Sequence, residues 1–298
     1  MLEPAVAVGL EGEVCMFSWD GGTLDNLEFK TSTTRPMCLA FSPDGDSLAV
    51  GTDKATLVHW RPGGRPKTRL FKMRRHVLDL VFQDERILTS HYWGDRYHPP
   101  PPVMVTKRSS LRGEAELLGP ERSTYVLAVA GNRLYASGPE NLIRSWSLDS
   151  LEPGPSLPVR GSATRLGAPE RAGLLLFCDA GDRPELRLLE GDTGREIGAL
   201  GLPGRPLSLS LSASEERVLV GCQGGAVLAT VKPLGIIQRF APELSGGAMH
   251  VAFLTDEDFV VSGLGLDLYG HAGGRARVCR RVPALGAIRA VAASLRGA

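Results

Sequence analysis

Seven short stretches of alternating apolar residues recur along the chain at nearly even spacing. That period constrains the fold more than any single residue does. The stretches are Met37–Phe41, Leu78–Phe82, Tyr125–Val129, Thr164–Ala168, Leu207–Leu211, Met249–Phe253 and Ile288–Ala292, and their first residues lie 41, 47, 39, 43, 42 and 39 positions apart. Alternation with period two marks strands that bury one face. Each of the first six stretches is followed by three more strand-like runs with turns between them. In the unit from Met37, the turn Ser42-Pro-Asp-Gly45 leads to Ser47–Gly51, a turn at 52–54 to Ala55–Trp60, and Arg61-Pro-Gly-Gly64 to Thr68–Phe71. Pro presets φ and Gly accepts a positive φ in such turns. Four strands joined this way make an antiparallel meander. A four-stranded repeat of ~40–45 residues is the period of a propeller blade. Helical periodicity is missing from every long window, so helices are expected to be few.

Composition fits one closed all-β domain, expected to span residues 1–298. Hydrophobic residues make up 43% of the 298, enough for a sizeable core, and 36 Gly with 21 Pro suit a chain that turns often. The net charge of +1 provides no global field for nucleic acid or an acidic membrane, and neither is expected as a partner. No apolar run approaches the ~18–20 residues that cross a bilayer. The start, Met1-Leu-Glu-Pro4, lacks the basic flank and apolar stretch of a secretory signal. Cysteines 15, 38, 178, 222 and 279 show no Cys-x-x-Cys spacing. Cys38, Cys178 and Cys222 stand in strand-like runs, where a free thiol acts as a small hydrophobe. A reducing, cytoplasmic setting is the expectation.

The unit Phe41-Ser-Pro-Asp-Gly45 … Leu48–Gly51 … Leu57–Trp60 resembles a WD40 repeat. So do Leu134–Gly138 with Leu142–Trp146, and Leu188–Gly194. Trp19-Asp20 is a literal Trp-Asp pair where a third strand should end. The resemblance spans nearly the whole chain, although its motifs are degenerate. The Gly-His that similar repeats carry before the inner strand occurs only as Gly270-His271, in another place. Lys54 and Glu140 stand where the Asp between second and third strands is expected. With that polar network mostly missing, apolar packing between blades must hold the ring together. The resemblance implies a non-catalytic scaffold without a cofactor, a subunit of a larger complex that binds a protein or peptide.

The two ends complete each other. Ile288–Ala292 has too little chain after it to build a blade, and Ala5–Gly9, Glu13–Trp19 and Leu27–Phe29 supply second, third and fourth strands without a first. Joining them gives a seventh blade, composed of 5–30 and 286–298, and removes the open edges that invite aggregation. The expected architecture is all-β: a seven-bladed β-propeller of four-stranded antiparallel blades, closed by the C-terminal strand.

Candidate sites follow from this frame. The 47-residue interval holds an insertion, His91–Pro102, with four consecutive prolines that favour a stiff extended form. Its Trp93, Arg96 and Tyr97 are residue types favoured as interface anchors. His91, Asp95 and His98 are three possible zinc ligands, but their spacing matches no known motif and no metal is expected. The turns leading into the inner strands contain Arg35, Lys72, Arg74, Arg75, His76, Arg122, Arg160 and Arg205. In propellers of the resembling family these turns surround the channel mouth. Arg35, Arg75, Arg122, Arg160 and Arg205 are therefore expected to form a rim for an acidic or phosphorylated segment. Asp79, Arg165, Ser208, His250 and Arg289 interrupt the apolar alternation and are expected along the axial channel. Nucleophile-elbow, phosphate-loop and zinc-helix motifs do not occur, so no catalytic residue is assigned. The alternative is a propeller-type hydrolase or lyase with a metal or acid–base site at the mouth, drawn from His91, Asp95, His98 or His250.

Overall fold

The computed structural model describes residues 5–19, 24–27, 35–61, 64–71, 76–92, 103–117, 126–138, 141–161, 163–169, 173–240, 249–263, 266–272, 275–282 and 288–294. They form seven four-stranded antiparallel sheets, and no helix occurs among the described residues. We number the sheets as blades: blade 1 from 5–27 and 290–293, blade 2 from 36–70, blade 3 from 76–117, blade 4 from 126–158, blade 5 from 163–201, blade 6 from 206–240 and blade 7 from 251–282. In blades 2 to 7 chain order equals sheet order, as the short turns require. The inner strands are Ala290–Ala293, Pro36–Phe41, His76–Gln83, Val126–Ala130, Ala163–Gly167, Pro206–Leu211 and Val251–Phe253. Each touches the next, and the last touches the first.

Burial within a blade follows from stacking sheets face to face. A second strand meets a neighbouring blade on each side, so Leu174–Asp179 and Leu48–Thr52 are buried at every position. This explains their continuous apolar character, which alternation alone would not produce. An outer strand lies at the periphery, and Lys67–Leu70 and Glu196–Gly201 are mostly exposed.

The chain ends seal the ring. Ala290–Ala293 pairs antiparallel with Ala5–Gly9, in the register Val6↔Ala293 to Gly9↔Ala290. Arg289 N donates to Gly9 O at 2.8 Å, and Ser294 N donates to Ala5 O at 2.9 Å. The Ser294 hydroxyl in turn accepts from Ala5 N at 2.8 Å. A strand that would otherwise be an edge is thus paired along its length.

Seven apolar clusters fill the seams, one between each pair of neighbouring blades. Between blades 6 and 7 the core is aromatic. Phe259 packs edge-on against Phe240 at 5.6 Å and Phe253 at 5.7 Å, and stacks on Tyr269 at 5.3 Å. Burying each such side chain contributes about 1.5–3 kcal/mol.

Polar ties also cross the seams. Arg86, Arg133 and Arg217 each begin the second strand of their blade. Arg86 Nη1 donates to Leu148 O at 2.6 Å, Arg133 Nη1 to Asp192 Oδ1 at 2.5 Å and Arg217 Nη1 to Asp256 O at 3.1 Å, each in the following blade. Arg108 of blade 3 grips Asp44 of blade 2 through two bonds of 2.9 and 3.0 Å. Apolar packing is therefore joined by arginine bridges that replace the missing repeat network.

Phe259→Ala should cost about 3–5 kcal/mol of unfolding free energy by urea denaturation. Ile237→Ala, on an outer strand, should stay within about 0.5 kcal/mol. Truncation after residue 287 leaves the inner edge of Ala5–Gly9 unpaired; it should abolish the single cooperative transition and produce soluble aggregates on size exclusion.

Candidate functional site: the channel mouth

The inner strands carry a repeated irregularity that shapes the mouth. In blades 2, 3, 5 and 6 the pairing of first and second strands slips between Pro36 and Cys38, Val77 and Asp79, Ala163 and Arg165, and Pro206 and Ser208. Each slip leaves one residue unpaired, a β-bulge that re-aims the side chains beside it. The four unpaired residues, Met37, Leu78, Thr164 and Leu207, all line a cavity of about 550 Å³ at the channel mouth.

The residue after each bulge reaches the backbone of the next blade. Cys38 Sγ donates to Val77 O at 3.7 Å, and Asp79 Oδ2 accepts from Leu127 N at 2.8 Å. Arg165 Nε donates to Leu207 O. Ser208 Oγ donates to Met249 O at 3.1 Å and accepts from Val251 N at 3.0 Å. Close approach of the inner strands needs a small residue opposite the bulge. A Cβ on Gly51 would meet Val77 at 2.6 Å, and one on Gly221 would meet Met249 O at 2.4 Å.

The leading turns and the turns after the second strands share one face. Asp53 N donates to Arg35 O at 3.0 Å, Gln223 N to Arg205 O at 2.8 Å and Ser262 N to His250 O at 2.8 Å. Arg35, Arg205 and Arg289 stand on this face and line the mouth cavity together with Arg165 and His250. Pro36, Met37, Leu78, Pro206, Leu207 and Ile288 supply its apolar wall. It adjoins a second space of about 360 Å³ within the channel, lined by all five polar residues expected there: Asp79, Arg165, Ser208, His250 and Arg289.

These groups are only partly shielded from channel water but are enclosed by the ring. Enclosure raises the Asp79 carboxyl to about 6, against the pull of the Leu127 amide, Arg165 and the Leu80 amide. Enclosure also lowers His250 to about 4, helped by Arg165 and Arg289. Near neutral pH the channel therefore holds an ionised Asp79 and a neutral His250. Arg165 remains a cation, since guanidinium does not deprotonate in proteins.

Of the eight expected partner-binding residues, Arg35 and Arg205 stand at the mouth. Arg160 lines a different cleft of about 300 Å³, with Phe177 and Glu196 between blades 4 and 5. Arg75, Trp93, Arg96, Tyr97 and Arg122 lie outside the described residues, as do Lys72, Arg74, Asp95 and His98. His91 belongs to a strand, Arg86–Tyr92, rather than to the insertion. It is fully buried, pairs with Val77, bonds Thr89 through Nε2 at 2.9 Å and meets Phe71 edge-on. Among the described residues no group of three His, Cys, Asp or Glu side chains is placed to hold a metal ion. Sequence reasoning assigned Arg165 and Arg289 to the channel alone, whereas both reach the mouth. Arg289 precedes the closing strand Ala290–Ala293, while Arg165 is the middle residue of Ala163–Gly167 and reaches the mouth because it follows a bulge.

A ring of seven four-stranded meanders, with the last strand completing the first blade, is a seven-bladed β-propeller of WD40-like fold. The solved structure of U3-55K is similar, with a TM-score of 0.74 at 14% identity over 88% of this chain and 86% of that one. The RRP9 WD40 repeats also score 0.74 at 14% identity, covering 88% and 85%. A chain of the mitotic checkpoint complex scores 0.73 at 15% identity, covering 87% and 81%. At such identities the likeness establishes the fold. No protein-family model and no curated protein matches the chain.

Asp79 and His250 give opposite pH linkages. A raised carboxyl pKa means that the folded state binds the extra proton between about pH 4 and 6, so stability from Asp79 is present below that window and lost above it. A lowered imidazole pKa means that the unfolded state binds the extra proton between about pH 4 and 6.5, so stability from His250 is lost as pH falls. Relative to wild type, Asp79→Asn should gain stability on raising the pH from 4 to 7, and His250→Gln should gain it on lowering the pH from 6.5 to 4. Each change should approach about 2 kcal/mol by urea denaturation.

Proposed function

We propose that this propeller is a non-catalytic scaffold that holds an acidic segment of a partner protein or peptide at the channel mouth. The observation that carries the reading is the charge of the cavity. Arg35, Arg165, Arg205 and Arg289 line it, and no carboxylate does so among the described residues. A net charge of +1 would not by itself concentrate four guanidinium groups there. Guanidinium binds carboxylate or phosphate through paired hydrogen bonds. The apolar wall between the arginines suits an aliphatic neighbour of the acidic residue. A closed ring also needs little ordering on binding, which favours affinity.

Residues 93–102 follow Tyr92, which pairs with His76 at the start of an inner strand. In this reading Trp93, Arg96 and Tyr97 supply further anchors, Arg75 and Arg122 extend the rim, and Arg160 contributes only to a partner that reaches the periphery. Membership of a larger complex and a cytoplasmic setting belong to the same proposal. Buried, unpaired Cys38, Cys178 and Cys222 support a reducing environment. Acid–base chemistry is the less supported reading, because both Asp79 oxygens accept backbone amide protons, from Leu80 and Leu127, and so serve the architecture.

A fluorescent oligo-glutamate peptide should bind with an affinity that falls as salt rises. Arg205→Glu should weaken it about 3- to 10-fold and flatten the salt dependence. Fluorescence anisotropy measures both, and an affinity indifferent to Arg205→Glu would remove the mouth as the partner site.

A further inference from the structure

Two of the mouth arginines are already engaged by the chain itself. Glu11 lies in the turn between Ala5–Gly9 and Val14–Trp19. Its Oε1 stands 2.6 Å from Arg35 Nη2 and 3.0 Å from Arg289 Nη2. The three side chains meet where the ring closes: Glu11 belongs to blade 1, Arg35 leads into blade 2, and Arg289 leads into the closing strand. Two guanidinium groups converging on one oxygen form an anion clamp. All three groups are open to solvent, at 57% for Glu11, 45% for Arg35 and 40% for Arg289. Ion pairs so exposed add little to stability, so the triad is a poor staple for a closure already held by backbone pairing. Among the described residues, Arg205 across the cavity pairs with no carboxylate.

We propose that Glu11 is a tethered stand-in for the partner's anionic group, a self-occupied clamp on Arg35 and Arg289 that any ligand must displace and that a phosphorylated segment, with its higher charge, displaces more readily than a merely acidic one. This rests on the mouth being the partner site. A carboxylate that arrives at the clamp exchanges one carboxylate for another and competes against a tethered rival with a high local concentration. A phosphoryl group brings about −1.5 to −2 charges and three acceptor oxygens. It can satisfy both guanidinium groups and still offer an oxygen to the cavity's other cations. Glu11 competes throughout the pH range in which phosphoryl is dianionic, because its bonds to Arg289 and Arg35 hold its carboxyl below the ordinary range.

The test uses two fluorescein-labelled peptides identical except for one phosphoserine or one glutamate, titrated by anisotropy into wild type, Glu11→Gln and Arg205→Glu. Wild type should prefer the phosphoserine peptide by roughly 10-fold. Glu11→Gln should bind both peptides about 3- to 10-fold more tightly, with an unchanged Tm. If Arg205→Glu weakens both peptides while Glu11→Gln alters neither, the mouth stands as the partner site and Glu11 is only a surface ion pair. If neither peptide responds to Arg205→Glu, or neither binds at all, the mouth reading falls and the Glu11 inference falls with it.

Discussion

Dry contact between neighbouring sheets governs this molecule. The second strands of the blades are buried on both faces, so no blade can hide its apolar surface alone. Each depends on two neighbours, and the ring is stable only when its last seam is shut. In an open solenoid the terminal repeats can be capped by polar faces. Here the pairing of Ala290–Ala293 with Ala5–Gly9 does that work, and the whole circle becomes one cooperative unit. Rigidity at the seams also frees the inner strands to depart from regular pairing. Four of them do so at the same height, and the displaced residues become the wall of the mouth.

Much of the architecture could be read from the chain because burial repeats with the blades. Alternation at Met37–Phe41 or Leu207–Leu211 reflects a strand with a channel on one side and a seam on the other. Closure was legible by counting, since the two ends lacked complementary strands. Side-chain destinations were harder to read. A one-residue slip in register sends alternate residues to the opposite face, and nothing in Pro36-Met-Cys-Leu marks where it occurs. His91 looks like the start of a loop because Tyr-Trp-Gly follows it. The strand continues because Tyr92 still pairs with His76. Arg160 follows an outer strand of only two residues, Leu157–Pro158, in a stretch where Pro153, Pro155 and Pro158 deny the ladder its donors. The chain therefore approaches blade 5 from far out. Glu11 sits in an unremarkable turn, and its role exists only once Arg289 arrives from the other end of the chain.

Charge in this molecule is balanced globally and separated locally. On the face away from the leading turns, Arg86, Arg133, Arg108 and Arg217 are committed to carboxylates or carbonyls of adjoining blades. Around the channel, Asp79 and Arg165 are held by backbone groups at the inner ring. The mouth keeps cations whose principal counter-ion in the fold is a single glutamate on a turn. A site of this kind needs no deformable loop to recognise an anion, because the backbone that positions the arginines is also the backbone that closes the circle.

The join between the two chain ends has a consequence for biosynthesis. Ala5–Gly9 leaves the ribosome well before its inner partner, Ala290–Ala293, on the order of tens of seconds earlier at ordinary elongation rates. Through that interval the nascent N-terminal meander presents an unsatisfied row of amides and carbonyls next to Val6 and Val8, side chains that end up fully buried. Blades 2 to 6 can assemble as they emerge, while the first must wait for the seventh. Newly made chains therefore carry that bare inner edge of Ala5–Gly9 until Ala290–Ala293 has emerged to cover it.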